Sequence, residues 1–213
     1  MFVRVTRGTA PADKLDEAIA MFRTTLLPSL ATLPGYLGGI LVVDRSSGAA
    51  RTLTYWEDEA ALRDSEPMSA EARAQAQRSG AQTAEPESYE LVLHERTVTP
   101  RPNVFVRIND VRGSIERVDD VVAFSREQVL PALRSQRGWL AMQAMVNRQN
   151  GRSLVMSVWD SAANREGSDA AVRLLREQGG ATAGAATVEV ALYEAAVVEL
   201  NPAAFPVGAR APA

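Results

Sequence analysis

The chain has 213 residues, 46% of them apolar and 23% charged, a balance that suits a globular protein of one large domain or two small ones. It has no cysteine and one histidine, His94. That excludes disulfides, thiol nucleophiles, thiolate metal sites and any centre built from several histidines of one chain. The net charge of −3 supplies no field for nucleic acid or an anionic membrane, and no apolar run approaches the roughly 18–20 residues of a membrane span. Arginine supplies every positive side chain but Lys14, so lysine chemistry has a single candidate. The opening residues show no leader pattern, and a cytoplasmic protein is expected.

In chain order, residues 2–7 are short and β-branched and read as a strand. From Pro11 the period becomes helical, with Leu15, Ile19, Phe22 and Leu26 on one stripe and Asp13, Asp16 and Glu17 at the positive end of the helix dipole. Pro28 is expected to kink or end this helix, and Pro34-Gly35 to close the segment. Residues 37–43 and 51–56 read as a hairpin around the turn Asp44-Arg45-Ser46-Ser47-Gly48. A second helical region spans 57–80, broken near Pro67 and Ala-rich with weak amphipathicity over 70–77; the last strand covers 89–98. The pattern then starts again. Strands are expected over 104–110, 139–147, 153–159 and 187–199, helices over 114–134 and 161–178, and a flexible connector over 179–186.

The restart keeps register. Phe2-Val3-Arg4-Val5 matches Phe105-Val106-Arg107-Ile108 at an offset of 103 residues. The same offset carries Leu27-Pro28 onto Leu130-Pro131, Gly35-Tyr36 onto Gly138-Trp139, Gly48 onto Gly151 and Trp56 onto Trp159. A tandem duplication is expected. The domains are 1–98 and 104–200, with a two-proline linker at 99–103 and a tail at 201–213 that Phe205 can anchor. Each half reads βαββαβ. The fold class is therefore α+β, an antiparallel sheet with both helices on one face. Strands apolar on both faces need two covers. That predicts two ferredoxin-like domains packed sheet to sheet, an intrachain dimeric α+β barrel existing as a monomeric pseudo-dimer or a weak homodimer.

The segment Tyr55-Trp56-Glu57-Asp58-Glu59-Ala60-Ala61-Leu62-Arg63-Asp64-Ser65 resembles the strand-to-helix signature of the antibiotic biosynthesis monooxygenase (ABM) family. Leu33-Pro34-Gly35-Tyr36-Leu37-Gly38 resembles its entry into the second strand, and Arg137-Gly138-Trp139-Leu140 and Val158-Trp159-Asp160-Ser161 are the second-half versions. The resemblance implies the dimeric α+β barrel superfamily, whose activities vary. For haem-degrading members it implies an Asn on the first strand, matched by Asn109 but by Thr6 in the first half. Their Trp position holds Ser65 and Ser168, and the helix that should carry the axial His has none; His94 stands on another element. Haem chemistry is disfavoured. For cofactor-independent members it implies a Trp ending the third strand, matched by Trp56 and Trp159, with an Asn four residues earlier. Thr52 and Val155 stand there instead. Such enzymes oxidise quinol-like aromatics in a dry pocket that stabilises a phenolate and admits dioxygen.

The expected function is therefore a cofactor-independent monooxygenase acting on a small aromatic, quinol or polyketide-like molecule. The alternative is a non-catalytic small-molecule binding or scaffold protein of the same fold. No cofactor or metal is implied, and the only partner class is a small-molecule ligand. Asn109 and Trp159 are the candidate catalytic residues; Arg107, Ser125, Gln143, Ser157, Trp56 and Thr52 are the candidate substrate-binding residues. Both Trp side chains also suit a core-filling role with the indole N–H bonded locally. Mid-strand Arg4 and Arg107 need a partner, for which Glu90 and Glu194 are the nearest expected carboxylates. Ser125 replaces Phe22 of the first half and Gln143 replaces Ile40. These exchanges predict the more open pocket in the second half, lined by Asn109, Ser125, Gln143 and Trp159. His94 is expected at the surface or a barrel rim.

Overall fold

The computed structural model describes residues 1–185 and 187–208; Ala186 of the expected connector and residues 209–213 of the expected tail lie outside the described residues. The chain divides into two compact units that are discontinuous in sequence. Unit 1 comprises Met1–Ser88, Pro100–Asn103 and Tyr193–Ala204; unit 2 comprises Tyr89–Thr99, Val104–Leu192 and Phe205 onward. The expected boundary at 99–103 therefore does not separate them. The last strand of each sequence half is built mostly into the other half's unit.

Unit 1 contains β1 (Phe2–Thr9), β2 (Tyr36–Val43) and β3 (Ala49–Trp56). β3 pairs antiparallel with both β1 and β2, so Arg4 faces Thr54 and Thr6 faces Thr52 across the ladder. Gly48 closes the β2–β3 turn at φ +72, and Asp44 Oδ1 accepts the Ser46 N–H at 3.0 Å. Between β1 and β2 lie α1 (Leu15–Met21) and α2 (Leu27–Leu30), joined by a π-helical turn at Phe22–Leu26. Pro28, expected to kink or end the helix, does not end it but is preceded by a widened turn. A proline ring collides with the carbonyl four residues back, and the widened turn relieves this: the Leu27 N–H donates to the Phe22 carbonyl, five residues back. After β3 come α3 (Glu59–Asp64) and α4 (Glu66–Arg78), with Asp58 capping α3 by accepting the Ala61 N–H at 2.8 Å. The break falls at Ser65, and Pro67 sits in the first turn of α4, where its missing N–H costs nothing. A two-residue strand, β4 (Gln82–Thr83), pairs with Gly8 and Thr9 and has no counterpart in the sequence reading.

Unit 2 repeats the plan. Its β6 (Phe105–Arg112), β7 (Trp139–Asn147) and β8 (Arg152–Trp159) pair as β6–β8–β7. Its α5 (Val118–Phe124) and α6 (Leu130–Arg134) flank a π-helical turn at Ser125–Val129, again immediately before Leu-Pro. α7 (Ala162–Gly167) and α8 (Asp169–Thr182) follow. Gly179 to Thr182, expected as flexible connector, are helical and extend α8. β5 (Glu87–Arg96) pairs with β7 in this unit, whereas residues 194–200 of β9 (Thr187–Leu200) pair with β2 of unit 1.

In each unit the helices cover one face of the sheet. Leu15, Ile19, Phe22 and Leu27 pack on Leu41 and Val43 in unit 1. Leu130, Leu133 and Val172 pack with Trp139, Met142 and Trp159 in unit 2. Among the described residues no helix is long and apolar enough to cross a membrane.

Candidate ligand-binding site

On the helix-covered face of each unit, the first strand presents an arginine toward the junction of the second helical pair. Arg4 is 5% exposed, and its Nη1 donates to Ser65 Oγ and Ser69 Oγ, each at 2.6 Å. Its Nη2 donates to the Leu62 carbonyl at 2.7 Å and pairs with Glu66 at 2.9 Å. Arg107 repeats this, donating to Ser168 Oγ at 2.9 Å and to the Arg165 carbonyl at 2.5 Å. The expected partners were wrong. Glu90 binds Arg148 and Glu194 binds Arg45. The reason is local: each guanidinium adds a second donor to a carbonyl that Ser65 or Ser168 already bonds, and meets the acidic residue that opens the next helix. Burial pulls the pKa of Arg4 down from its ordinary value, opposed by Glu66.

Above Arg4, unit 1 encloses a cavity of about 240 Å³ between its sheet and its helices. The floor is Thr6, Thr52 and Thr54 with Leu41 and Val43; the walls are Leu15, Ile19 and Phe22 on one side and Met68, Ala72 and Ala76 on the other. An apolar cavity of about 150 Å³ holds one benzene ring, so this one has room for a two-ring aromatic. At its rim Arg73 Nη2 bonds Glu66 Oε1 at 2.5 Å, while Arg73 Nη1 is buried without a hydrogen-bond partner. Two arginines thus share one carboxylate beside an apolar chamber. The corner carries an excess positive charge and an unused donor.

The matching cavity of unit 2 is only about 60 Å³. The expectation of the larger pocket in the second half is overturned. Four substitutions at the 103-residue offset explain it. Val121 stands for Ala18, Phe124 for Met21, Val172 for Ser69 and Leu175 for Ala72, and all four line the smaller space. Ser125 opens nothing, because the Phe124 ring lies over Gly179, 3.2 Å from where a Cβ there would sit.

Of the sequence-predicted residues, the structure brings Arg107, Asn109, Ser125 and Ser157 together around the 60 Å³ space. Asn109 Oδ1, Ser153 Oγ and Arg107 Nε are buried there without partners. Thr52 lies in the larger cavity of unit 1. Trp159 and Trp56 are fully buried, and each indole N–H donates at 3.1 Å to a hydroxyl two residues earlier, Ser157 and Thr54. Trp159 and Gln143 are not among the residues lining the unit 2 cavity. Gln143 Nε2 instead meets His94 Nδ1 at 3.3 Å. His94 is partly buried: its ring meets Phe205 edge-on, centroids 4.9 Å apart, and burial lowers its pKa to about 4.

Sequence reasoning missed Ser69, Ala72, Arg73 and Ala76. Their signal was present in the weak amphipathicity of 70–77. A helix face that borders a cavity needs small side chains rather than large apolar ones.

No family model matches the chain. It is 27% identical to the uncharacterized Mycobacterium tuberculosis protein Rv2557 over 94% of this chain and 92% of that one. It is 30% identical to the uncharacterized Mycobacterium tuberculosis protein Rv2558 over 94% of this chain and 86% of that one. Among solved structures it resembles a candidate monooxygenase of Fusobacterium nucleatum (TM-score 0.70, 12% identity, 93% and 94% of the two chains). It also resembles an anthrone oxidase-like protein (TM-score 0.70, 11% identity, 94% and 93%). These structures share the mixed α/β fold. At 30% identity over nearly its whole length, the chain belongs to the family of the mycobacterial protein Rv2558.

Proposed function

We propose that the chain is a tandem-duplicated ABM-type protein whose unit 1 cavity takes a small aromatic, quinol or polyketide-like molecule and oxidises it with dioxygen, without a cofactor. The carrying observation is the 240 Å³ chamber, apolar on its walls, with threonine hydroxyls on the floor and the unpartnered Arg73 Nη1 at the rim. An acidic phenol or enol bound there places its oxygen near Arg73, which favours the anion. The anion is the form that reduces dioxygen. When an activated ring CH₂ becomes C=O, one oxygen atom enters the ring and the other leaves with the two hydrogens as water. The protein's part is to hold the anion, exclude bulk water and leave space for dioxygen.

One observation favours a second reading, binding without turnover. Among the described residues no histidine or asparagine lines the chamber, and the Trp56 indole N–H is occupied by Thr54. Dioxygen uptake with anthrone and 1,4-dihydroxynaphthalene separates the two. Uptake that saturates with substrate and falls at least tenfold in Arg73→Gln supports the oxygenase. Saturable binding with no uptake supports the second reading, and neither binding nor uptake removes both.

A further inference from the structure

The unit 1 cavity does not end at its inner wall. A second space of about 240 Å³ adjoins it, and the two share Ala10, Ala18, Met21, Gln75, Ala76 and Ala81 as lining. The shared residues lie between the two spaces. Apart from Met21 and Gln75 they are alanines, whose methyl groups take less room than larger side chains would. Beyond them the outer space is bounded by Lys14, Glu17 and Ser79, all exposed, with Lys14 Nζ paired to Glu17 at 3.1 Å. The inner chamber is apolar and the outer one is mixed. Helix α4 borders both, Met68 in the inner chamber and Ser79 in the outer, a run of about 16 Å at 1.5 Å per residue. A two-ring aromatic is shorter than that. In unit 2 the residue matching Ala18 is Val121.

Resting on the ligand site proposed above, we infer that the two spaces form one site for an elongated amphiphile. Its aromatic head lies in the inner chamber, and an unbranched apolar chain passes Ala18 and Ala76 to end in a polar group beside Lys14 and Ser79. The substrate class is therefore an alkyl- or acyl-substituted aromatic rather than a bare ring. The Lys14–Glu17 pair lies at the solvent end, where a polar terminus keeps its hydration.

The test compares two probes by calorimetric titration of the full chain: 1-naphthol and 4-n-hexyl-1-naphthol. The wild-type chain should bind the hexyl compound at least tenfold more tightly, since several methylenes leave water in the outer chamber. Ser79→Leu, which fills the outer space from a residue that does not line the inner chamber, should remove that advantage while leaving 1-naphthol within about twofold. Glu17→Leu, at another residue of the outer space alone, is the second variant should Ser79→Leu unfold the helix end, and a melting curve checks each. Equal binding of both probes to the wild type, with both lost in Ala72→Leu, overturns the two-chamber inference and leaves the inner site standing. An advantage that persists through both outer-space variants overturns it as well. Failure of both probes to bind the wild type removes the ligand site and this inference together.

Discussion

Ala72→Leu puts into unit 1 the side chain that unit 2 already carries at the matched position, Leu175. Ala72 lines a cavity of about 240 Å³ where Leu175 lines one of about 60 Å³. The substitution adds three carbons to an apolar space. At about 0.8 kcal/mol per buried methylene the gain is about 2.4 kcal/mol. Fixing the new rotamers returns about 0.5–1 kcal/mol, leaving about 1.5 kcal/mol of net stabilisation. For a chain of this size each kcal/mol moves Tm by about 2–4 °C, so calorimetry should show a rise of about 3–6 °C. Binding of 1-naphthol should weaken at least tenfold in the same variant. Stability gained while function is lost is the signature of a cavity kept open for a ligand. A lowered Tm together with unchanged binding would refute the reasoning, because the space would then be neither fillable nor the ligand site.

Three further outcomes follow from the same geometry. Leu175→Ala should cost about 2–4 kcal/mol in urea unfolding and enlarge the unit 2 cavity, measurable as a second probe site. Arg4→Met removes the buried donor to Ser65, Ser69 and the Leu62 carbonyl while Arg73 keeps Glu66, and should cost about 2 kcal/mol without shifting the pH dependence of ligand binding, whereas Arg73→Gln should weaken only the anionic form of a phenol. His94 is held neutral, with its pKa lowered from 6.5 to about 4 by burial first and Arg96 second, Glu95 opposing. The unfolded chain therefore binds a proton that the folded chain resists. Stability is retained above pH about 6.5 and declines as pH falls toward 4, by roughly 3 kcal/mol at the limit. Denaturant midpoints at pH 7 and pH 4.5 should converge in His94→Gln relative to the wild type; an identical pH slope in both would discount this role.

Much of the fold was legible because it is written in short-range periodicity. The stripe Leu15, Ile19, Phe22 and the alternation of each strand needed no tertiary information, and the hairpin glycines marked their own turns. What the sequence could not show is which unit a strand joins. The pattern of residues 187–200 reads as a strand whatever its neighbour, and its pairing with β2 is set by packing across long separations. The continuation of the helix through Pro28 was hidden for a related reason: a π turn has no composition of its own. The candidate site was half legible. Matching positions at the 103-residue offset located the right surface, Arg4 with Thr6 and Arg107 with Asn109. The volume was misjudged because two exchanges, Phe22 to Ser125 and Ile40 to Gln143, were weighed alone, and Gln143 does not line the space. Volume is set by all the side chains around a space, and four small-to-large changes on two helices outweigh one large-to-small change.

The asymmetry between the two units is the central claim, and ligand stoichiometry tests it directly. Calorimetric titration of the wild-type chain with 1-naphthol should give one site per chain, and Ala72→Leu should give none. Two equivalent sites, or one site that survives Ala72→Leu and disappears when Ser125 of the smaller cavity is changed to Phe, would contradict it.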